Sequence, residues 1–277
     1  MSTSRFKRFS LGAACLSAAF TAAAVSASAE TAPSTTSSVP SYSQFEASTY
    51  RDVDGAYVVN GDEAIANKTK LKLYYQSMLG TTKQKSGTTD LIVNRVNGVD
   101  DKWSSTQVRN LTYCVSTKFG TRQADIVNAM AQGAALWESA SSAVNFVYVS
   151  SQNSNCTVSN SNVVFSVEPV QTTQYIARAF FPSSPKSQRN VLVDDSIWTS
   201  GSWTPGNVLG HELGHVLGFR HEHTRPESGT CFEDNNWRPL TAYDSASIMH
   251  YPQCNGTSSN LSFQASDATG VRALYGS

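Results

Sequence analysis

Between about residue 103 and the C-terminus, strand-like runs of hydrophobic residues occur together with segments of helical hydrophobic periodicity. Short runs rich in β-branched and aromatic residues predict strands, and they lie at 109–116, 144–149, 163–167, 175–181 and 191–193. After Thr121, a suitable N-cap, Val127, Met130, Ala134 and Trp137 share one helical face. A strand, a long helix, several strands and a second helix predict an α+β domain with a mixed sheet.

The first hundred residues are patterned differently. Residues 31–49 are rich in Ser, Thr and Pro and predict an exposed linker. Residues 57–79 begin with an apolar run and continue with helical character, whereas 83–89 are polar and rich in helix breakers. That last stretch is either a processing site or a loop.

Residues 1–29 have the order of a secretory signal peptide. Arg5, Lys7 and Arg8 precede an apolar run, and Ala27-Ser28-Ala29 offers a small-x-small cleavage site. A membrane anchor is the alternative, but the apolar run is shorter than the roughly 20 residues that span a bilayer. We therefore expect a secreted, extracellular protein without stable membrane association.

Composition excludes some classes of partner. The 277 residues include 21 Lys and Arg against 21 Asp and Glu, and only 15% are charged. A neutral chain is a poor nucleic-acid or polybasic membrane binder, so no nucleic-acid partner is expected. The 40% of hydrophobic residues suffice for a core.

Four cysteines follow the signal segment, namely Cys114, Cys156, Cys231 and Cys254. An even number in an exported chain predicts two disulfides. Three pairings are formally open. We favour Cys114–Cys156 and Cys231–Cys254, because each pair is nearer in the chain.

All five histidines lie between His211 and His250. Thr204-Pro205 is a typical helix start, with a capping hydroxyl before a proline at the first helical position. His211 and His215 are one helical turn apart, so both imidazoles can hold one metal ion. Glu212 lies on an adjacent face, close enough to take a proton from a water that the metal activates.

Gly218 predicts the end of this helix, because glycine tolerates the left-handed conformation found there. The chain then turns back, and His221 can become a third ligand. Three protein ligands leave a fourth position open, which is typical of catalytic rather than structural zinc sites. The expected cofactor is therefore Zn²⁺.

A methionine turn follows downstream at Ser247-Ile248-Met249-His250-Tyr251. Together with the motif His211 to Glu222, it resembles the astacin-like metzincin zinc metalloproteases. The resemblance extends especially to the bacterial dual-action HEIGH metallopeptidases, with Leu213 in place of the isoleucine. Its strong motifs cover residues 204–251, and a capped helix from Ser266-Asp267 to Tyr275 agrees more loosely.

The resemblance implies a metzincin-like zincin domain with a twisted mixed sheet, an active-site helix, the methionine turn and a C-terminal helix. The implied roles are zinc ligation by His211, His215 and His221, acid and base catalysis by Glu212, oxyanion stabilisation by Tyr251, packing beneath the metal by Met249, and for Glu222 a link to the mature N-terminus. The implied domains are a signal peptide at 1–29, a propeptide at 30–102 with its end between about 85 and 105, and a catalytic domain at 103–277.

Latency would need a metal ligand from a propeptide that contains no histidine or cysteine. Val59-Asn60-Gly61-Asp62 resembles the glycine-aspartate element of astacin propeptides, which implies Asp62 as the latency ligand. The alternative is a hairpin turn without further role. Substrate would lie along an edge strand by β-augmentation, for which residues 176–181 are the candidate.

Other polar residues near these motifs have plainer interpretations. We expect His223 to be exposed beside Arg225, and His250 to pack within the methionine turn. Asp194-Asp195 is a weak calcium candidate, because adjacent acids more often end a strand at the surface.

The resemblance thus predicts a secreted zinc endopeptidase that is made as a pre-pro-enzyme. It is expected to be a monomer and to act on proteins or peptides. A catalytically inactive zinc-stabilised binding or adhesin module is the alternative, although such a module has no use for Glu212. A zinc hydrolase of non-peptide substrates is a third.

Overall fold

The structure is a computed structural model that describes residues 40–79 and 91–277. The predicted signal peptide and residues 83–89 lie outside the described residues. Five α-helices are present in the described part: α1 Tyr42–Ser48, α2 Lys68–Leu79, α3 Gln123–Ala140, α4 Pro205–Val216 and α5 Ala265–Tyr275. None of these helices has the length and apolar character needed to cross a membrane.

Eleven strands are present in the same ranges: β1 Tyr50–Arg51, β2 Tyr57–Val59, β3 Glu63–Ile65, β4 Ile92–Val96, β5 Val99–Asp100, β6 Leu111–Val115, β7 Phe146–Tyr148, β8 Phe165–Val170, β9 Ala177–Arg178, β10 Asn190–Asp194 and β11 Trp237–Pro239. They form three sheets, with the orders β1-β2-β3, β7-β6-β8-β10-β9 and β11-β4-β5. The fold is the mixed α+β arrangement that the sequence predicts.

The five-stranded sheet carries the predicted strands. β7, β6, β8 and β10 run parallel, and β9 lies antiparallel to β10 at the edge. β9 is shorter than the predicted strand 175–181. Because parallel strands need crossover connections, the long α3 joins β6 to β7 and packs its buried face against the core. Ile126, Met130 and Trp137 on that face are buried.

Helices α3 and α4 touch through their backbones. A Cβ on Gly133 would lie 2.6 Å from the Gly210 nitrogen, so only glycine permits this approach. The Trp137 indole nitrogen also donates to the Gly210 carbonyl at 2.8 Å. This contact fixes the position of α4, and therefore of any group that α4 carries.

We expect Gly133→Ala to lower the free energy of unfolding by about 1–3 kcal/mol, because overpacking pushes the two helices apart. This loss is the net effect after the roughly 1 kcal/mol that alanine gains over glycine in helix propensity. Urea unfolding of the protein measures this free energy, with exposed Ala131→Ser as the control. Equal midpoints for wild type and Gly133→Ala would contradict the close packing.

The predicted linker at 31–49 is wrong in its described part, because α1 begins within it. Ser41 forms a capping box with Gln44: the Ser41 hydroxyl accepts from the Gln44 amide, and the Gln44 side chain accepts from the Ser41 amide. Phe45 on α1 then packs beside Tyr74 and Tyr75 of α2. The helix therefore depends on local capping and on aromatic contacts that composition does not show.

Strands β2 and β3 form a hairpin whose turn is Asn60-Gly61-Asp62. Asn60 and Gly61 have φ values of 57° and 96°, which suit asparagine and glycine. A Cβ on Gly61 would lie 3.2 Å from the Tyr251 hydroxyl. The hairpin turn that the sequence offered as a plain alternative is present, and it lies against the methionine turn.

Residues 91–101 pack within the same core as the five-stranded sheet. β4 pairs with β11, its Ile92 and Val93 are fully buried, and the Ile92 carbonyl accepts from the Arg220 amide at 3.0 Å. The Asp101 carboxylate accepts from the Ser183 amide and hydroxyl at 2.8 Å. This segment is built into the structure that surrounds α4.

Both favoured disulfides are confirmed. Cys114 on β6 joins Cys156, and Cys231 joins Cys254 across the segment that contains β11 and the methionine turn.

Asp267 in the first turn of α5 stabilises the methionine turn, because its carboxylate accepts from the Ser247 hydroxyl and the Ile248 amide. The C-terminal helix is also confirmed.

Candidate active site

Helix α4 places two imidazoles in one buried position. Thr204 caps it, with its side chain accepting from the Asn207 amide, and Pro205 is the first helical residue, as the sequence predicts. His211 and His215 are buried on this helix. The helix ends at Val216, and Gly218 then adopts φ 100°.

Gly218 is required at this bend for a second reason. A Cβ there would lie 2.2 Å from the Asp101 carbonyl oxygen. The reversal brings the fully buried His221 back toward α4, so that its Nε2 lies 3.3 Å from the His211 Nε2. The three predicted imidazoles are therefore neighbours.

Each of the three imidazoles has its Nδ1 held by an acceptor. The acceptors are the Ile248 carbonyl for His211 at 2.6 Å, the Phe219 carbonyl for His215 at 2.8 Å, and the Glu233 carboxylate for His221 at 2.7 Å. Because carbonyl and carboxylate oxygens only accept, each Nδ1 donates its proton. Each Nε2 therefore faces the centre of the site, where its deprotonated form can bind a metal, as in metal-binding histidines.

Asp62 lies at this centre. Its Oδ2 is 3.2 Å from His211 Nε2, and its Oδ1 is 3.4 Å from His215 Nε2 and 3.1 Å from His221 Nε2. Burial raises the pKa of Asp62, but the charges of His221 and His215 and the hydrogen bond from His211 outweigh it and hold this pKa well below its usual range. The Asp62 carboxylate is therefore ionised among the three imidazoles.

Tyr251 and Glu212 complete the centre. The Tyr251 hydroxyl donates to Asp62 Oδ2, and its ring lies 4.6 Å from the His221 ring centroid. Glu212 is buried, and its Oε2 has no hydrogen-bond partner among the described residues. Burial, followed by the Asp62 charge, raises the pKa of Glu212 well above its usual value.

Met249 packs tightly beneath α4. It is fully buried, and a Cβ on Gly214 would lie 2.3 Å from its sulfur. The Met249 carbonyl also accepts from the Glu222 amide at 2.8 Å. Glu222 itself is fully buried, with an oxygen 3.3 Å from Arg225 Nη1.

The expectation for His223 is wrong. It is buried, with its Nε2 3.2 Å from Glu233 Oε1 and its ring stacked 4.6 Å from that of His221. Burial lowers its pKa to about 4. His250 is buried within the methionine turn, as predicted, and its Nε2 lies 2.8 Å from the Tyr243 hydroxyl.

Sequence reasoning missed a buried charge network next to His221. Arg220 is surrounded by three carboxylates: Asp234 at 2.7 Å, Glu233 at 2.8 Å and Glu63 at 3.3 Å. Glu233 thereby links Arg220 to His221. Only the adjacency of Glu233 and Asp234 was visible in the sequence, and adjacent acids alone are a weak signal.

Residues of the β2–β3 hairpin also reach the sheet edge. Glu63, directly after Asp62, forms a parallel bridge with Ala179, directly after β9.

Asp194 and Asp195, the weak calcium candidate, do not join a metal-binding group in the described residues. The Asp194 side chain instead accepts a hydrogen bond from the Ser196 amide.

The residues at the centre fit a zinc ion. Four ligand atoms, from Asp62 and the three histidines, lie within 4.8 Å of one another, and all four residues are buried. The Nε2 of His215 and the Oδ1 of Asp62 have no hydrogen-bond partner among the described residues. Three imidazole nitrogens with one carboxylate oxygen form a donor set that suits Zn²⁺ in tetrahedral coordination.

Comparison with known proteins gives a family match over this region. Residues 102–228 match the family model Peptidase_M10, described as Matrixin. A bone morphogenetic protein 1 homolog of Strongylocentrotus purpuratus is 43% identical over 63 residues, which cover 16% of this chain and 10% of that protein. The chain thus spans about a tenth of that curated relative.

Two solved structures of myroilysin also match. One shows 19% identity and a TM-score of 0.46, covering 66% of this chain and 98% of that chain. The other shows 17% identity and a TM-score of 0.43, covering 63% and 86%. The matrixin match and the histidine group together support a zinc metallopeptidase of the metzincin type.

Proposed function

We propose that this protein is a secreted, astacin-like zinc endopeptidase, nearest in its motif to the dual-action HEIGH metallopeptidases, and that it is made as a precursor. The observation that carries the proposal is the convergence of three imidazole Nε2 atoms on one buried carboxylate, with Glu212 beside them. The matrixin match over residues 102–228 supports the peptidase class.

His211, His215 and His221 would hold the zinc ion. When bound, zinc supplies Lewis acidity, which polarises a carbonyl oxygen and lowers the pKa of water. The acceptors on the three Nδ1 atoms fix the direction of each ring, and such outer contacts raise ligand basicity.

Glu212 would serve as base and then as acid. Its carboxylate is adjacent to the ligands on α4 without belonging to the ligand group. It takes a proton from the attacking water and returns that proton to the leaving amine. Burial raises the pKa of Glu212, which favours the uptake of a proton by its carboxylate.

Tyr251 would stabilise the oxyanion. In the precursor its hydroxyl donates to the Asp62 carboxylate, so the same donor is directed at a negative oxygen at the centre of the site. Once Asp62 leaves, this hydroxyl can donate to the oxygen that becomes negative during attack on a peptide carbonyl.

Peptide substrates would lie along the edge strand β9. The parallel bridge between Glu63 and Ala179 beside this edge supports the placement of an extended chain there. Main-chain hydrogen bonds of this kind give affinity that does not depend on sequence. We expect proteins and peptides as substrates and no nucleic-acid partner. We also propose that the protein is a monomer.

Residues 30 to about 90 would form the propeptide, with Asp62 as the ligand that keeps the precursor latent. We place the end of this propeptide before Leu91, earlier than residue 102, because residues 91–101 are built into the core around α4. Two disulfides are consistent with an extracellular location after removal of the signal peptide.

Cleavage of casein by the processed protein tests the proposed activity. Mass spectrometry should find new internal amino termini that increase with time and vanish with a chelator. A zinc-stabilised binding module would produce none, and a non-peptide hydrolase would instead cleave members of an ester library.

We expect Glu233→Gln to weaken zinc binding by about 10–100-fold, because a neutral amide accepts less strongly from His221 Nδ1 than a carboxylate does. Competition with a chromogenic chelator measures the dissociation constant in the processed protein. Glu227→Gln is the matched control, since Glu227 lies in the same region and pairs with Arg225. Equal zinc affinity in Glu233→Gln and wild type would contradict a supporting role for Glu233.

A further inference from the structure

His223 is a buried histidine that the proposed mechanism does not use. It lies in the short 3₁₀ segment Glu222–Thr224, two residues after the third predicted zinc ligand. Its ring centroid is 4.6 Å from that of His221 and 5.0 Å from that of Tyr251, and it is stacked on both rings. It therefore contacts a proposed zinc ligand and the proposed oxyanion donor at once.

The two ring nitrogens of His223 have different partners. The Tyr251 backbone amide donates to His223 Nδ1 at 3.2 Å. Because a backbone N–H only donates, this Nδ1 carries no proton, and the proton of the ring is on Nε2. That Nε2 lies 3.2 Å from Glu233 Oε1. The contacts thus select one tautomer, which accepts from Tyr251 and donates to Glu233.

Glu233 receives donors from two imidazoles. Its Oε1 also accepts from His221 Nδ1 at 2.7 Å. Burial raises the pKa of Glu233, but the charge of His221 and the hydrogen bonds from His221 and His223 outweigh it and lower this pKa. His223 therefore restricts the position of the oxygen that orients His221.

A second metal ion is the alternative explanation for this group. The ligand atoms of His221, His223 and Glu233 lie within 4.8 Å of one another. A metal on His223 Nε2 would displace the ring proton while Nδ1 still accepts from Tyr251, so the ring would have to be an imidazolate. It would also displace the proton that His221 Nδ1 donates. The contacts therefore favour hydrogen bonds over a second metal.

We propose that His223 is a positioning residue of the active site, whose two ring nitrogens couple the main chain of Tyr251 to the Glu233 carboxylate that orients His221. It acts through these two residues rather than on substrate. The proposal rests on the proposed endopeptidase function. All of these residues belong to the proposed catalytic part, so the coupling remains after removal of the propeptide.

The coupling joins two segments whose geometry matters for the proposed reaction. Glu233 and Tyr251 lie within the segment 231–254 that a disulfide closes, whereas His221 and His223 precede it. A displacement of about 1 Å at a reacting group can cost about 100-fold in rate. A histidine bound to both segments constrains the distance between the zinc ligand and the Tyr251 hydroxyl.

Two near-isosteric variants separate the two contacts. An Asn amide lies near the position of Nδ1, and a Gln amide lies near the position of Nε2. His223→Gln therefore keeps a donor for Glu233 and removes the acceptor for Tyr251, whereas His223→Asn does the reverse. We expect His223→Gln to lower kcat by about 10–100-fold with little change in KM or zinc affinity. We expect His223→Asn to weaken zinc binding by about tenfold and to keep kcat when saturated with zinc.

Both quantities are measured on processed protein. Competition with a chromogenic chelator gives the zinc dissociation constant, and initial rates on a fluorogenic peptide at saturating zinc give kcat and KM. Gln253→Asn, which shortens an exposed amide in the same disulfide-closed segment, is the control and should match wild type. A merely structural role would lower zinc affinity and kcat together in both variants, and that result would overturn the proposal.

Coupling to Tyr251 is tested in a variant that already lacks its hydroxyl. Because His223 acts through Tyr251, adding His223→Gln to Tyr251→Phe should lower kcat by less than about twofold more. A further loss as large as in the wild-type background would show that His223 acts elsewhere.

The tautomer gives a readout that depends on neither a variant's folding nor peptidase activity. In zinc-bound wild type labelled with ¹⁵N at histidine, the Nδ1 resonance of His223 should be that of an unprotonated nitrogen and the Nε2 resonance that of a protonated one. A protonated Nδ1 would overturn the proposal. A second bound equivalent of zinc that is lost in His223→Gln would also overturn it, because it would assign a metal site.

Failure of the proposed function gives a different result. If wild-type processed protein with zinc bound cleaves no peptide, the endopeptidase proposal fails. Hydrogen exchange of the Tyr251 amide then decides the coupling separately. Faster exchange in His223→Gln but not in His223→Asn supports it, and equal exchange in both variants and wild type contradicts it.

Discussion

Glu212→Gln is expected to lower kcat/KM for peptide hydrolysis by about 10²–10⁴-fold while zinc content stays the same. The amide has the same shape but takes up no proton, so water loses its base and the leaving amine loses its acid. Glu212 lies outside the group of four ligand atoms, so the histidines should bind the metal as before.

The measurement combines initial rates on a fluorogenic peptide with zinc content by atomic absorption, both on processed protein. Glu227→Gln is the control for loss of a carboxylate, and its rate should match wild type. Full activity in Glu212→Gln would remove Glu212 from the mechanism. Loss of activity together with loss of zinc would show that Glu212 acts on metal binding instead.

Asp62→Ala is expected to raise the activity of the intact precursor by about tenfold to one hundredfold, because a charge-assisted contact at the centre of the site is lost. Activation should remain incomplete. Glu63 still pairs with Arg220, and Gly61 still lies against Tyr251, so the hairpin continues to fill the cleft.

This result needs precursor that stays uncleaved, so intact mass must be recorded in the same samples as the rate on a short peptide. Asp125→Ala, which changes an exposed carboxylate on α3, should leave the precursor as latent as wild type. A precursor of Asp62→Ala with wild-type latency would show that Asp62 is a turn residue without a role at the metal.

Local spacing explains why much of the site was predictable. His211 and His215 are one turn apart on a helix whose cap, Thr204, and terminating bend, Gly218, are both visible in the sequence. The bend at Gly218 restricts the position of His221 relative to the helix. The two disulfides were also favoured correctly, because each joins the cysteine nearer in the chain.

Contacts between distant segments were not predictable in the same way. Arg178 meets Asp52 across 126 residues, and nothing in the local pattern of either segment indicates the other. His223 looked like an exposed neighbour of Arg225, yet the Glu233 carboxylate and the His221 ring bury it. Helix α1 was missed because its capping box lies in a stretch whose composition suggests a linker.

Asp62 falls between these two cases. The sequence offered a hairpin turn and a latency ligand as alternatives, and the described structure contains the hairpin with its turn among the three imidazoles. A turn is a local property, whereas its position beside residues about 150 positions later depends on tertiary packing. Resemblance to a family element was the only guide to that position.

Zinc titration of metal-free processed protein tests the central claim most directly. Peptide hydrolysis should be absent without metal, rise in proportion to added zinc and reach a plateau at one equivalent, because His211, His215 and His221 form a single site. Hydrolysis that is already complete without zinc, or that does not appear after one equivalent is bound, would contradict a zinc peptidase centred on these three histidines.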